Sequence, residues 1–196
     1  MTGTVRLLAL SGSLRTGSFN RRVVDIAAAS ARAAGADVEA VDLRDFPLPH
    51  YDADLERSEG VPERALALKD LFCGADGYLV AAPEYNGSIP GVLKNAFDWI
   101  SRPGDGETPM TLRAFRGKVA GVMSASPGPW GGIRGLSHLR QILSGMYVLV
   151  VAEQLAVPDA ASAFAEDGKL KNPAYQGILE IIGRRTAQFA RVMKDG

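Results

Sequence analysis

The run Val5-Arg6-Leu7-Leu8-Ala9-Leu10 stops abruptly at Ser11-Gly12-Ser13, and this feature constrains the fold more than any other. A short strand so rich in apolar residues has to be covered on both faces, the condition of a parallel sheet flanked by helices. The pattern recurs: residues 38–43, 77–82, 118–124 and 147–151 read as four further strands. Residues 20–34, 62–72, 91–100 and 133–143 read as helices between them, with a last helix over 173–194. Residues 45–60, rich in Pro, Asp and Glu, read as a surface loop, 102–117 as irregular chain, and Asp167-Gly168 as a turn. Five strands interleaved with helices predict an α/β fold with a five-stranded parallel sheet. No shift of composition, repeat or low-complexity tract divides the 196 residues, so one domain over 1–196 is expected.

Charge and cysteine usage narrow the function classes. Lys+Arg and Asp+Glu are both 22, so the basic excess of a nucleic-acid binder is missing. Cys73 stands alone, which rules out an intramolecular disulfide, and it reads as apolar filler at a helix end. The first residues show no basic region followed by a long apolar one, and no apolar run reaches membrane-spanning length. A cytoplasmic protein without a membrane partner is therefore expected.

Ligands of open α/β sheets bind at the carboxyl ends of the strands, and three strands here end in unusual loops. The first is Ser11-Gly12-Ser13-Leu14-Arg15-Thr16-Gly17-Ser18-Phe19-Asn20, opening a helix. Unpaired amides and the positive dipole end at a helix N-terminus suit a phosphate, and four hydroxyls and Arg15 add to them. Its plain alternative is a Gly/Ser turn with Ser18 as N-cap. Ser18 and Phe19 stand where a P-loop needs Lys and Ser/Thr, and Gly12-Ser13-Leu14 breaks the dinucleotide fingerprint. A mononucleotide monophosphate fits best. The second loop, Pro83-Glu84-Tyr85-Asn86-Gly87-Ser88-Ile89-Pro90-Gly91, carries the tight-turn signal Asn86-Gly87. It reads either as a simple turn or as a stiff wall for a flat heterocycle. The third, Ser126-Pro127-Gly128-Pro129-Trp130-Gly131-Gly132, is similarly rigid and would close the other side.

The first loop, and the second continued through Val92-Leu93-Lys94-Asn95-Ala96-Phe97-Asp98-Trp99, resemble the two signatures of the NAD(P)H-dependent FMN reductase family. Gly131-Gly132 and His138-Leu139-Arg140-Gln141-Ile142-Leu143 are similar to its bacterial quinone/chromate/azo-dye branch. The resemblance implies a flavodoxin-like, three-layer fold with strand order 2-1-3-4-5. It implies that Ser11, Ser13, Arg15, Ser18 and Asn20 hold the FMN phosphate, with Leu14 and Phe19 in the same cofactor loop. Pro83, Glu84, Tyr85, Asn86, Gly87 and Ser88 would line the isoalloxazine ring, and Ser126 and Gly128 would approach from the third loop. It further implies NADPH or NADH as donor, a small-molecule acceptor such as a quinone, a flavin, an azo dye or chromate, and a homodimer or homotetramer. Hydride transfer to FMN and release of the nicotinamide before the oxidant enters would give ping-pong kinetics. Arg15 is assigned to FMN and no second arginine is clearly placed for a 2′-phosphate, so the donor stays open. FMN is favoured over FAD because no loop offers an adenosine site.

The remaining candidates have plainer readings. His50 and His138 lie in separate segments with no ligand spacing, so no metal site is expected. His50 reads as surface loop, reaching toward the cofactor edge at most, and His138 as a packing or interface residue. No GxSxG elbow supports a nucleophilic serine, and no side chain is required as acid or base. Asp98 and Arg102, four apart, predict an ordinary surface ion pair, with an interface role for Arg102 as the second option. A non-enzymatic flavodoxin-type carrier and a flavin-binding regulatory module remain alternatives, although carriers of that type are usually strongly acidic.

Overall fold

The computed structural model describes residues 3–195. Five parallel strands, β1 (Arg6–Ser11), β2 (Asp37–Asp42), β3 (Gly77–Ala81), β4 (Val119–Ala125) and β5 (Leu149–Val157), form one sheet. Their order, 2-1-3-4-5, is the one the resemblance implies. Helices α1 (Phe19–Ala33) and α6 (Pro173–Asp195) cover one face. Helices α3 (Glu63–Cys73), α4 (Gly91–Ile100) and α5 (Ile133–Gly145) cover the other. The alternation of side chains along each strand divides the core accordingly. Leu7, Ala9, Leu79, Ala81, Val119 and Met123 face α1 and α6, while Leu8, Leu10, Tyr78, Val80, Ala120 and Val122 face the others. Among the described residues no helix is long and apolar enough to cross a membrane.

The expected 45–60 loop is only partly a loop. It holds a 3-10 turn at Leu43–Asp45 and helix α2 (Ala53–Glu59). The Asp52 carboxylate accepts from the Asp54 amide at 2.8 Å to start α2, and Gly60, at φ +81°, ends it. No residue of α2 is buried, so it has no apolar period to read. The segment is strapped across α4: the Pro49 carbonyl accepts from Asn95 Nδ2 and Trp99 Nε1, each at 2.8 Å.

The fifth strand is also displaced, from the expected 147–151 to Leu149–Val157. Tyr147, at φ +63°, closes the turn after α5 instead of entering the sheet. The strand then bulges, pairing Ala120 with Val150 but Val122 with Gln154, and so takes Glu153 and Gln154 into an edge strand. The expected Asp98–Arg102 pair is not formed. Asp98 accepts from Lys94 Nζ at 2.7 Å, and Arg102 Nε donates to Glu56 of α2 at 2.8 Å. Lys69 of α3 donates to Glu107 at 2.7 Å and to the Arg102 carbonyl at 2.8 Å. This nearly buried clamp pins the irregular 102–117 segment.

Helices α1 and α6 approach closely along small residues: Ala27, Ala28 and Ala31 against Gly183, Ala187 and Ala190. A Cβ at Gly183 would collide with the Ala27 carbonyl oxygen. Gly183→Ala gains about 1 kcal/mol of helix propensity, yet overpacking should leave it less stable by roughly 1–3 kcal/mol. A urea midpoint equal to or above wild type would contradict this packing.

Glu56 and Glu107 of these clamps sit below their ordinary range, as does Asp42 at the end of β2, which Arg44 grips. The Arg44 hydrogen bonds hold Asp42 down to about 2. Burial pushes Glu56 up, but Arg102 and Tyr51 outweigh it, and the Lys69 hydrogen bond lowers Glu107. Groups depressed by folding stabilise the protein above their unfolded values and lose that contribution as pH falls through the folded ones. Stability should therefore fall between about pH 4.5 and 2, starting near the ordinary carboxylate range. Urea midpoints that stay flat from pH 5 to 3 would remove the clamps from the account.

Candidate functional site

The chain runs from β1 outward to β2 and returns as β3 on β1's other side, so the sheet's switch point lies between β1 and β3. The first and second loops leave the carboxyl ends of these two strands, and the third leaves β4 next to them. Backbone bonds carry the edge forward: the Gly12 amide donates to the Ala81 carbonyl at 2.8 Å, and the Ala82 amide to Met123 at 3.0 Å.

The first loop is a stack of hydroxyl-capped turns. Ser11 Oγ, buried, accepts from the Ser13 amide at 3.2 Å, and Ser13 Oγ accepts from the Arg15 amide at 3.3 Å. Ser18 Oγ, also buried, caps α1 by accepting from the Asn20 amide at 3.2 Å. That leaves the amides of Thr16, Gly17, Ser18 and Phe19 without an acceptor in the described residues. Orphan amides at a helix start are an anion cradle. Arg15 is exposed beside them, its guanidinium over the Phe19 ring at 4.8 Å and donating to the Gly17 carbonyl at 3.2 Å. Leu14 is likewise exposed on the rim. A phosphate monoester fits this donor set.

Asn20 is buried at the start of α1. Its buried amide donates to the Ala125 carbonyl at 2.8 Å and accepts from the Ala125 amide at 3.0 Å. The side chain thereby fixes the start of α1 to the end of β4. The third loop continues from there: Ser126 Oγ accepts from the Gly128 amide at 3.2 Å, and Trp130 stands 70% exposed.

The second loop is a tight hairpin turn. Tyr85 and Ser88 exchange backbone bonds of 2.9 and 3.1 Å around Asn86 (φ +52°) and Gly87 (φ +84°). Both central residues need the left-handed region, which Asn and Gly tolerate. Pro83 is buried below the turn and Tyr85 is 53% exposed above it. The Glu84 carboxylate points away, accepting from the amides of Arg134 (3.0 Å) and Gly135 (3.1 Å) and from Arg134 Nε (2.7 Å). Burial raises its pKa, but these donors hold it below the ordinary value. Ser88 Oγ lies 2.9 Å from His138 Nδ1 of α5. Two contacts thus tie the second loop to the helix that follows the third.

The three loops therefore lie side by side along the carboxyl edge of the sheet. His50 is exposed on the strap over α4. Cys73 is partly buried at the end of α3, where burial pushes its thiol up. No three His, Cys, Asp or Glu side chains converge to hold a metal among the described residues. The sequence reading missed three arginines. Arg21, Arg22 and Arg44, with Asp42, line a cavity of about 160 Å³ whose remaining wall is Ser13 and residues 15–18 of the first loop. The available signal was the position of Arg44 just past a strand end and of Arg21-Arg22 in the first turn of α1.

Comparison with known proteins agrees with this geometry. The model of a family described as NADPH-dependent FMN reductase matches residues 5–162. A quinone reductase of Escherichia coli (strain K12) is 40% identical over 156 residues, 77% of this chain and 76% of its own. An NAD(P)H-dependent FMN reductase of Pseudomonas aeruginosa is 35% identical over 181 residues, 92% of each chain. Among solved structures, the flavoenzyme NAD(P)H:(acceptor) oxidoreductase FerB of Paracoccus denitrificans superposes with a TM-score of 0.78 at 28% identity, over 95% of this chain and 97% of its own. The matched span contains all three loops, and this chain belongs to the NADPH-dependent FMN reductase family.

Proposed function

We propose that this chain is an NAD(P)H-dependent, FMN-containing reductase that passes electrons to a quinone or another small acceptor. The observation that carries the reading is the anion cradle at the start of α1, beside the switch point of the sheet. When bound, FMN supplies the redox chemistry, accepting hydride from the nicotinamide and giving electrons to the acceptor. The chain binds and orients it. The amides of residues 16–19, Arg15 and the hydroxyls of Ser13 and Ser18 hold the phosphate. The Tyr85–Ser88 turn, with Pro83 below it, presents backbone groups to the ring edge, and Ser126 and Gly128 close the third side. Ser11, Asn20 and Glu84 serve as positioning residues, because each spends its side chain on a loop backbone. Leu14 and Phe19 cover the cradle's rim.

The same reading takes residues 1–196 as one catalytic domain in the cytoplasm, working as a homodimer or homotetramer. The exposed apolar residues Tyr85, Trp130 and Ile133, on and just after the second and third loops, support a partner subunit there. A free electron carrier is disfavoured by the equal counts of acidic and basic residues, since carriers dock by charge.

Two experiments test the function. Titration with FMN should quench flavin fluorescence, and double-reciprocal plots against NAD(P)H and a benzoquinone should be parallel, as donor and acceptor use one open side in turn. No flavin binding would sink the assignment; intersecting lines would remove only the shared side. Arg15→Ala should weaken FMN binding by about 1.5–3 kcal/mol, the scale of a charged hydrogen bond. Unchanged affinity would take Arg15 out of the cradle.

A further inference from the structure

A fourth segment leaves the carboxyl edge of the sheet, after β5, and the three-loop site does not account for it. Residues 158–172 join β5 to α6. At its start the segment is tied to the third loop, where the Ala160 amide donates to the Ser126 carbonyl at 3.0 Å. Further on it folds into a small hairpin around Gly168, at φ +84°. The Ala165 amide donates to the Lys169 carbonyl at 2.8 Å, and the Lys171 amide to the Ala163 carbonyl at 2.9 Å. Phe164 pairs with Leu170 across this hairpin and is buried in the core between the sheet and helices α1 and α6.

The Phe164 ring reaches the phosphate cradle. It stacks on Phe19, the first residue of α1, with centroids 6.1 Å apart and planes 12° apart. Phe19 carries the Arg15 guanidinium at 4.8 Å, and Phe164 carries the Arg22 guanidinium at 3.8 Å. Arg15, Phe19, Phe164 and Arg22 thus form one row in that order, with an arginine at each end, and both arginines line the cavity of the cradle. Among the described residues neither arginine makes an ion pair. Their guanidinium groups are placed by the ring faces and, for Arg15, by the Gly17 carbonyl. A ring face attracts a guanidinium without cancelling its charge. Arg44, by contrast, is neutralised locally by Asp42.

We propose that Phe164 is a positioning residue of the phosphate cradle: through Phe19 and Arg22 it aims the two unpaired guanidinium groups at the FMN phosphate. This role rests on the reductase reading and adds a fourth loop to its site. The position requires a ring and not only apolar bulk. Leu would fill the same place in the core, yet it offers Phe19 no stacking partner and Arg22 no π face. The loss should be felt at the phosphate and not at the flavin ring, because both ends of the row lie at the cradle.

The test titrates the full chain, freed of flavin, with FMN and with riboflavin, which lacks the phosphate. Phe164→Leu should weaken FMN binding about tenfold and leave riboflavin binding within about twofold. Phe164→Met, whose flexible side chain refills irregular core space, is a second ring-free variant and should show the same selective loss if the Leu variant does not fold. Phe164→Tyr, which keeps the ring face, should bind FMN as the wild type does. In the Arg15→Ala background, Phe164→Leu should cost FMN binding less than about threefold, because one end of the row is already gone. Equal losses for both flavins would make Phe164 core filler and overturn the proposal. Unchanged FMN binding in the ring-free variants, or an undiminished effect in the Arg15→Ala background, would overturn it too. A wild type that binds neither flavin overturns the reductase reading and this role together, whereas a failure confined to the variants overturns this role alone.

Discussion

The bond pair between Asn20 and Ala125 is the contact on which the rest of the site depends. One buried amide satisfies both the N–H and the C=O of the last residue of β4. A strand end of this kind has backbone groups with no ladder partner, and leaving them unpaired away from water is costly. Asn is the residue type that can donate and accept on adjacent backbone groups at once. The consequence is geometric. The start of α1, where the anion cradle lies, cannot move relative to the third loop without losing two buried hydrogen bonds. Glu84 does the corresponding work for the second loop, since its carboxylate supplies the acceptors that α5, which starts at a left-handed Gly132, lacks in its own cap. Two side chains thus lock three loops that are far apart in sequence.

This arrangement explains which parts were legible. Strands β1, β3 and β4 could be read because they are covered on both faces, so their composition is apolar whatever the register. Strand β5 and helix α2 could not. The first mixes Glu153 and Gln154 into an edge, and the second buries nothing. The three loops were visible because glycine, proline and short hydroxyl residues cluster where a strand must turn into a helix. Their content was less legible than their position. Glu84 was visible only as a member of the second loop, and its carboxylate caps a helix fifty residues away. Asp98 and Arg102 satisfied the spacing rule for an ion pair, yet each found another partner, because α2 and Lys94 were closer in space. Spacing within a helix says which residues share a face, and does not say what else is packed against that face.

The arginine cluster illustrates the same limit from the other side. Arg15, Arg21, Arg22 and Arg44 come from a loop, a helix and the exit of a strand, and only the β1–β2 pairing brings them together. Counted over the whole chain they vanish into a net charge of zero. Locally they leave a cationic rim around the first loop. Neutrality of the whole and polarity of one edge are compatible because the opposing carboxylates, such as Glu56, Glu107 and Asp76, are spent on clamps elsewhere. The acids hold the scaffold and the surplus bases collect at the mouth. Such a division suits a protein that must attract phosphorylated nucleotides. It also accounts for a site that can turn over small soluble reactants without the overall negative field by which a protein-docking electron carrier finds its partners.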